Sequence, residues 1–565
     1  MILDANDVMN GARVTADICV VGAGAAGIAI ALSLLDSGLD VLVLESGGLE
    51  DERETQSLYE GTVEDPAMHS PPDRYRQRRL GGSTTIWGGR CMPFDPIDFD
   101  VRDYEAFSGW PIGLAELAPF YPQANALCEA GRFAYTAREA FPDGGRPMIS
   151  GFEGRAFTTN TLERFSCPTD FGNRYRARLA SARTVRVLCH ANVTRMTLDA
   201  VGRSLENLEV KTLLGKSFQV HARRFVLAAG GLESVRLLLN SPGASGRGLG
   251  NQHDVVGRYY MCHLAGTIGT LSFREGVAVN HGYELSPDGV YCRRRFALRE
   301  SVQQALRAGN FVARLHHPRM TDPAHRTGIL SLLYLARFMI PYEYGKRLHG
   351  GEPIRLRSAS AHLRNVVADA GGIVAFLWHW LRDRTLAARK FPSVIIHPRR
   401  PRYSLDFHAE QEPNPDSRVG LGAERDSLGL RRLHVDWRYS SQDVHTVQAS
   451  LAALADDIRV SGVGAFQFEQ SEVEREMLRY GAYGGHHIGT VRMGRDPRTS
   501  VVDPDCRVHE VANLYVAGSA VFPTSSQANP TLTIVALALR LAGHLRASTI
   551  DSAGKTAENP AKKEA

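Results

Sequence analysis

A short glycine cluster near the start of the sequence has the residue types that a nucleotide phosphate requires. Gly22, Gly24 and Gly27 form a G-x-G-x-x-G pattern. In such a pattern the first glycine permits a tight turn, the second lets backbone approach a pyrophosphate, and the third allows close helix packing. Glu45 follows about 20 residues later, where an acid can accept hydrogen bonds from ribose hydroxyls. The pattern predicts dinucleotide binding, with a glycine turn used only for packing as the alternative.

The elements around these glycines predict a parallel sheet. Residues 17–21 form a short apolar strand before the cluster, an aliphatic helix follows, and residues 40–44 form a second strand. Residues 224–231 repeat the strand and glycine pattern, and residues 513–519 do so again before a nearly unbroken apolar helix over 531–545. We therefore expect one nucleotide-binding domain built from separate parts of the chain.

A second unit has the pattern of antiparallel structure. Two short strands, 417–421 and 433–437, flank a turn through Asp426 and Gly429. We predict an α/β Rossmann-like nucleotide-binding domain, discontinuous in sequence, plus an α+β substrate domain with a mainly antiparallel sheet. The expected parts are the first nucleotide-binding part at 1–110, a connecting or lid segment at 111–180, the second nucleotide-binding part at 181–270, the substrate domain at 271–480, the C-terminal nucleotide-binding part with the catalytic motif at 481–550, and a disordered tail at 551–565.

Bulk composition excludes several classes of protein. The chain has 565 residues and a formal charge of +5, too small to indicate nucleic-acid binding. Its eight cysteines show no metal-binding spacing, so no metal site is predicted and a reducing compartment is favoured. The first 16 residues lack a signal-peptide apolar run, and no apolar stretch reaches the length of a spanning helix. These features predict a cytoplasmic protein.

Four segments together resemble the glucose-methanol-choline (GMC) oxidoreductases, which oxidise alcohols and sugars with FAD. They are the N-terminal glycine cluster with Glu45-Ser46-Gly47-Gly48, the Gly81–Gly89 loop, Ala229–Ser234, and the C-terminal run from His486 through Gly518-Ser519 to Asn529-Pro530-Thr531. The match covers most of the chain except its middle third. Within the family, the Asn-Pro-Thr ending is most similar to the pyranose-oxidase-like sugar enzymes.

The resemblance implies FAD as cofactor and assigns residues to hold it. Ile86 stands where some sugar oxidases carry a histidine that attaches the flavin, which implies non-covalent FAD. The cofactor residues implied by the fingerprint and the resemblance are Gly22, Gly24, Ala25, Ala26, Gly27, Glu45, Ser46, Gly82, Ser83, Thr84, Thr85, Trp87, Gly88, Val193, Ala229, Gly230, Glu233, Gly518, Ser519, Pro530 and Thr531.

The resemblance also assigns two catalytic residues. When hydride leaves an alcohol carbon for flavin N5, the hydroxyl proton must pass to a base, and an amide can hold the oxygen meanwhile. The matching positions are His486, four residues before Thr490, and Asn529. His487 is the alternative base, since adjacent residues of an extended segment point in opposite directions.

The sequence therefore predicts FAD-dependent oxidation of an alcohol, with a secondary hydroxyl of a sugar or glycoside as the expected substrate. A dehydrogenase is favoured over an oxidase, and the electron acceptor is open. Residues 328–400 form a basic apolar insertion with 12 basic and 4 acidic residues, which favours a lid but also suits peripheral contact with a membrane or a protein. The alternatives are a non-sugar alcohol, lyase chemistry with a structural flavin, and a non-catalytic flavin-fold protein tethered through this insertion.

Overall fold

The computed structural model describes residues 1–243, 245–339, 356–393, 395–396, 398, 401–482 and 485–557. The predicted tail at 551–565 lies partly within a helix that runs to Ala557, and residues 558–565 lie outside the described residues.

The largest sheet collects strands from three distant parts of the chain. Its order is β1-β8-β3-β2-β11-β10-β9, and β21 pairs with β11. The pairs from β1 to β11, and the pair of β11 with β21, are parallel, whereas β9, β10 and β11 form an antiparallel meander. The strands are β1 (Ile2–Asp4), β2 (Arg13–Val21), β3 (Val41–Leu44), β8 (Val185–Cys189), β9 (Asn192–Leu198), β10 (Leu205–Lys211), β11 (Ser217–Leu227) and β21 (Leu514–Val516).

A second sheet of six strands is antiparallel throughout. Its order is β20-β12-β17-β16-β15-β6. The strands are β6 (Phe157–Thr158), β12 (Leu264–Phe273), β15 (Phe296–Leu298), β16 (Phe311–His316), β17 (Arg402–Ala409) and β20 (Gly464–Gln467). The predicted fold class, a Rossmann-like sheet combined with an antiparallel substrate domain, is confirmed.

Two small sheets join segments that are far apart in sequence. One has the order β13-β14-β7-β5 and the other β18-β19-β4. Two of these strands, β4 and β5, come from the first 110 residues and pair with strands from later in the chain. The strands are β4 (Gly61–Val63), β5 (Arg90–Cys91), β7 (Leu162–Phe165), β13 (Glu284–Leu285), β14 (Tyr291–Arg294), β18 (Arg418–Arg425) and β19 (Arg431–Asp436).

The helices cover the sheets and close the nucleotide-binding domain. Helix α1 packs against the C-terminal helix α14, so the two ends of the chain share one core. The helices are α1 (Ala25–Ser33), α2 (Arg53–Ser57), α3 (Leu114–Leu117), α4 (Tyr121–Leu127), α5 (Ala137–Ala140), α6 (Phe171–Ser181), α7 (Gly230–Asn240), α8 (Glu300–Leu306), α9 (Gly328–Leu335), α10 (Leu356–Ala368), α11 (Ala370–Trp380), α12 (Ser441–Val460), α13 (Val473–Tyr480) and α14 (Thr531–Ala557). None of the helices within the described ranges has the length and apolar composition needed to cross a bilayer.

Candidate active site

The first glycine cluster forms a turn between β2 and α1. Gly22 has a φ of 105°, which side chains rarely adopt. A Cβ at Gly27 would lie 1.9 Å from the Gly22 carbonyl oxygen, whereas a Cβ at Gly24 would meet nothing within 4 Å. The turn is therefore tight at Gly22 and closely packed at Gly27, and it is open in front of the helix N-terminus that begins with Ala25 and Ala26.

Glu45 directly follows β3 and faces this turn. Its carboxylate accepts hydrogen bonds from the N–H groups of Ala23, at 2.8 Å, and Gly47, at 2.9 Å. Burial raises the pKa of Glu45 although both N–H groups oppose the shift. Ser46 accepts a hydrogen bond from Arg78 at 3.1 Å. The acid predicted to bind a ribose thus lies beside the glycines predicted to bind the pyrophosphate.

The second glycine segment lies against the first. The Gly81 N–H donates to the Ala23 carbonyl at 2.9 Å, and a Cβ at Gly82 would lie 3.0 Å from the Gly24 Cα. A 3-10 turn spans Gly82–Thr85 and includes Ser83 and Thr84. The loop then continues to Gly88. The Trp87 indole N–H donates to the Thr169 carbonyl at 2.9 Å, which fixes that ring.

Three neighbouring parallel strands end in glycines at the same edge of the sheet. Strands β2, β11 and β21 lead to Gly22, to Ala229-Gly230 and to Gly518, and both Gly230 and Gly518 have open space where a Cβ would lie. The Ser519 hydroxyl donates to the His487 carbonyl at 2.7 Å. Ligands of open parallel sheets bind at the carboxyl ends of the strands. This glycine edge is therefore the candidate cofactor site, and the histidine segment is bonded directly to it.

Two predicted cofactor residues, Val193 and Glu233, are buried among other side chains of the protein. Val193 is buried near the start of β9. The carboxylate of Glu233 accepts hydrogen bonds from Arg78 at 2.6 Å and from Arg236 at 3.0 Å. Burial opposes ionisation, but these guanidinium groups lower the pKa of Glu233 to about 2. The acid is therefore ionised and held by arginines, while a role of either residue toward the cofactor stays a prediction.

His486 and Asn529, separated by 43 positions, are neighbours in the structure. The Asn529 Nδ2 amide lies 3.2 Å from His486 Nε2. Asn529 lies immediately before Pro530 and Thr531, which begins α14, and its Oδ1 is 3.5 Å from Arg90 Nη1. Because the guanidinium can only donate, it orients the amide so that Nδ2 points to the imidazole.

The hydrogen bonds around His263 fix the tautomer of His486. His263 Nε2 lies 3.2 Å from the Ser525 carbonyl oxygen, which can only accept, so Nε2 carries the proton. Burial lowers the pKa of His263 to about 4, so the ring is neutral and Nδ1 has a lone pair. His486 Nδ1, at 2.7 Å, must therefore donate to it. The His486 Nε2 atom therefore carries a lone pair, which faces the Asn529 amide.

His487 points into a different, sealed region. His69 Nδ1 donates to the Ser70 carbonyl, so His69 Nε2 accepts the Tyr260 hydroxyl proton at 2.8 Å. The Tyr260 oxygen then accepts from His487 Nδ1 at 2.7 Å and from the Cys262 thiol at 3.3 Å. Although His69, Cys262 and His487 are close enough to share a metal ion, Tyr260 already bonds to all three.

The two histidine regions are held together by a short antiparallel bridge. Met261 and Ile488 exchange backbone hydrogen bonds, at 2.9 Å and 3.0 Å, so residues 260–263 lie alongside 486–488. Sequence reasoning missed Arg90, Tyr260 and His263. A signal existed only for Arg90, which directly follows Gly88-Gly89; His263 is 223 positions from its partner.

Burial and nearby charge keep His486 unprotonated. Burial is the largest cause lowering its pKa well below the ordinary value, followed by the electrostatic effects of His263 and Arg90. A neutral imidazole, whose second nitrogen carries a lone pair, is the form of histidine that can accept a proton. The arrangement can therefore do general-base chemistry beside the glycine edge.

The described residues fit FAD. Open space precedes the α1 N-terminus, three strand ends supply glycines, and a buried acid lies beside the first of them. Fold and site together define a dinucleotide-binding protein of the Rossmann type with a general-base site beside the glycine edge.

Comparison with known proteins supports the family predicted from the sequence. A family model described as GMC oxidoreductase matches residues 413–538, and one described as pyridine nucleotide-disulphide oxidoreductase matches residues 16–261. The chain is 26% identical to paromamine 6'-oxidase of Streptomyces fradiae, over 93% of this chain and 90% of that protein. It is 24% identical to the fructose dehydrogenase large subunit of Gluconobacter japonicus, over 94% and 98%.

Solved structures share the fold. The pyridoxine 4-oxidase structure from Mesorbium loti superposes with a TM-score of 0.53 at 18% identity, over 94% of this chain and 98% of that one. These comparisons support the GMC oxidoreductase family and FAD as the cofactor. Both predictions from sequence are confirmed.

Proposed function

We propose that this protein oxidises a hydroxyl group of a sugar or glycoside to a carbonyl, with His486 as the base and Asn529 as the residue that holds the oxygen. The observation that carries the proposal is the unprotonated His486 Nε2 facing the Asn529 amide, in a segment bonded to the glycine edge. FAD, when bound, supplies the acceptor for the hydride.

The two side chains would bind the same oxygen in complementary ways. A substrate hydroxyl would take the place of the direct contact between the two side chains, donating to His486 Nε2 and accepting from Asn529 Nδ2. As hydride leaves the carbon, the proton passes to Nε2, and the C–O bond becomes a carbonyl. The amide stabilises negative charge on oxygen and cannot compete for the proton.

Two further residues would support the catalytic pair. His263 accepts the His486 Nδ1–H bond, and it thereby fixes the tautomer that leaves Nε2 to take the proton. Arg90 holds the Asn529 amide in the orientation that donates toward the substrate. We therefore regard both as positioning residues.

Several finer assignments belong to the same proposal. The fructose dehydrogenase and the paromamine 6'-oxidase are named for different acceptor classes; we favour a dehydrogenase because peroxide production would harm a cytoplasm, which is our proposed location. A secondary hydroxyl is our preferred target. Non-covalent FAD is supported by Ile86, whose side chain cannot form a bond to the flavin.

An anaerobic absorbance titration tests the proposal. The purified protein is mixed with sugars, glycosides and simple alcohols, and air is then admitted. We expect sugars or glycosides to bleach the flavin band, with slow recolouring in air and fast recolouring with an artificial acceptor. Bleaching by simple alcohols alone would assign a non-sugar substrate. A flavin that no alcohol or sugar bleaches would contradict redox function and favour lyase chemistry or a non-catalytic role.

A further inference from the structure

The helical insertion presents an apolar face to solvent. On α11, Val374, Leu377 and Trp378 are exposed and share one side of the helix, which Leu381 continues one turn later. Residues three, four and seven apart lie on the same helix face. We call this set, together with the exposed apolar residues of the neighbouring segments, the insertion face: Phe338, Met339, Leu363, Val367, Val374, Leu377, Trp378, Leu381 and Leu386.

This exposure is not needed to stabilise the insertion itself. The inward sides of α9 and α11 form a separate small core that contains Leu330, Tyr334 and Ile373. The Tyr334 ring stacks on the ring of His362 at 4.1 Å, and the Gly328 N–H donates to Asp369 at 2.7 Å. The insertion therefore has its own anchors, and the outward residues are free to serve another contact.

In the part of the insertion that the structure describes, exposed basic groups lie beside the face and the acids are buried or paired. Arg364, Arg382 and Lys390 are exposed, and Arg337 is half-buried beside them. Arg384 and Arg389 instead donate to backbone carbonyls of the protein. The two described acids of this region are Asp369, which is buried, and Asp383, which bonds to Arg382 and His379. An apolar surface with an aromatic residue and a basic border complements an anionic lipid surface, because apolar groups enter the interface and cations meet headgroups.

We propose that the insertion face docks the protein on a bilayer that contains anionic lipid. The contact is peripheral, since it uses one face of short helices. The inward side of α11 places Gly372, Phe376 and His379 on the wall of a cavity of about 830 Å³, which Tyr283 also lines. The Tyr283 ring packs against Phe165 at 5.0 Å, and Phe165 pairs with Arg90 in the sheet. Docking would therefore place this cavity at the membrane surface. One wall of the cavity lies near β5, the strand that carries Arg90.

Vesicle flotation of the full-length flavin-loaded protein tests this proposal. We expect flotation with vesicles of phosphatidylcholine and phosphatidylglycerol, with at least about tenfold weaker binding to phosphatidylcholine alone or at high ionic strength, since salt screens the cationic contacts. The double variant Leu377→Asp/Trp378→Asp should lose about tenfold or more of the binding. The charge variant Arg364→Glu/Lys390→Glu should lose the preference for anionic lipid.

A matched control separates the face from general surface hydrophobicity. Leu214 is 79% exposed in the turn between β10 and β11, on the nucleotide-binding domain. Leu214→Asp should float like the unmodified protein, and all variants should keep their flavin content and their anaerobic bleaching by soluble substrate. Absence of flotation, or equal flotation of the Leu377→Asp/Trp378→Asp variant, would overturn the proposal. Concentration-dependent self-association lost in that variant, without vesicle binding, would assign the face to a second copy instead.

Discussion

His486 and His487 are adjacent in sequence, yet their rings lie in two regions with different chemistry. Both rings donate from Nδ1, His486 to His263 and His487 to Tyr260. Both therefore carry a lone pair on Nε2. The His486 lone pair faces the Asn529 amide and the ring is half-buried, whereas His487 Nε2 is buried and has no hydrogen-bond partner among the described residues.

The comparison teaches that tautomer alone does not select a base. What differs is the group opposite Nε2 and whether a substrate can reach it. An amide donor beside the lone pair offers a second contact to the same oxygen, and partial exposure leaves a way in. The His487 region has the opposite character, because its polar atoms bond to one another around Tyr260 and stabilise the fold.

The largest expected effect separates the two histidines directly. Replacing His486 by Ala should slow anaerobic flavin reduction by about 10²- to 10⁴-fold, the usual contribution of a general base. His487→Ala should slow it by less than about tenfold, because the His487 ring faces the buried group of His69, Tyr260 and Cys262, here called the Tyr260 cluster. Stopped-flow measurement of flavin bleaching gives both rates. The reverse order of effects would show that the substrate approaches the other ring.

The next effect concerns the amide opposite the lone pair. Asn529→Ala should lower the flavin reduction rate by about 10²-fold, since it removes one donor to the developing negative charge. Asn529→Ser, which keeps a short donor, should recover part of the loss. If the alanine variant changes only the apparent substrate affinity, Asn529 binds ground state and transition state equally.

A smaller effect is expected from the positioning histidine. His263→Phe should lower the reduction rate by about tenfold, because the His486 Nδ1–H loses its acceptor. His263 is also one of the groups that lower the pKa of His486, so the acid limb of the rate profile should move to higher pH. His263→Asn, which can still accept, should restore most of the rate. An unchanged pH profile would show that His263 supports only the local packing.

The smallest effect on the reaction rate should come from a substitution in the Tyr260 cluster. Such a substitution should lower the stability of the fold instead. Tyr260→Phe removes the hydroxyl that joins His69, Cys262 and His487. Leaving buried polar groups unpaired should lower the free energy of unfolding by about 1–3 kcal/mol, measured by chemical denaturation. Flavin reduction should change by less than about threefold. A large loss of rate with intact stability would place this cluster in the reaction.

The sequence predicts the fold and the glycines at the ends of the parallel strands well, because both depend on local patterns. The glycines at 22, 230 and 518 each follow an apolar run, and their strands are neighbours in the sheet. The histidine pair at 486 and 487 could be placed only by resemblance, since periodicity cannot reveal which ring meets Asn529. Arg90, Tyr260 and His263 reach the site through tertiary contacts, which local spacing does not encode. The pairing of β4 and β5 with distant strands has the same cause.

Chemical rescue of the His486→Ala variant tests the central claim most directly. Anaerobic flavin reduction is measured with substrate in the presence of increasing imidazole, above the pKa of free imidazole, with His487→Ala as the matched control. We predict that imidazole restores the His486→Ala rate in a saturable manner and leaves the His487→Ala rate unchanged. A His486→Ala protein that reduces its flavin at the unmodified rate, or a rescue confined to His487→Ala, would contradict the assignment of His486 as the base.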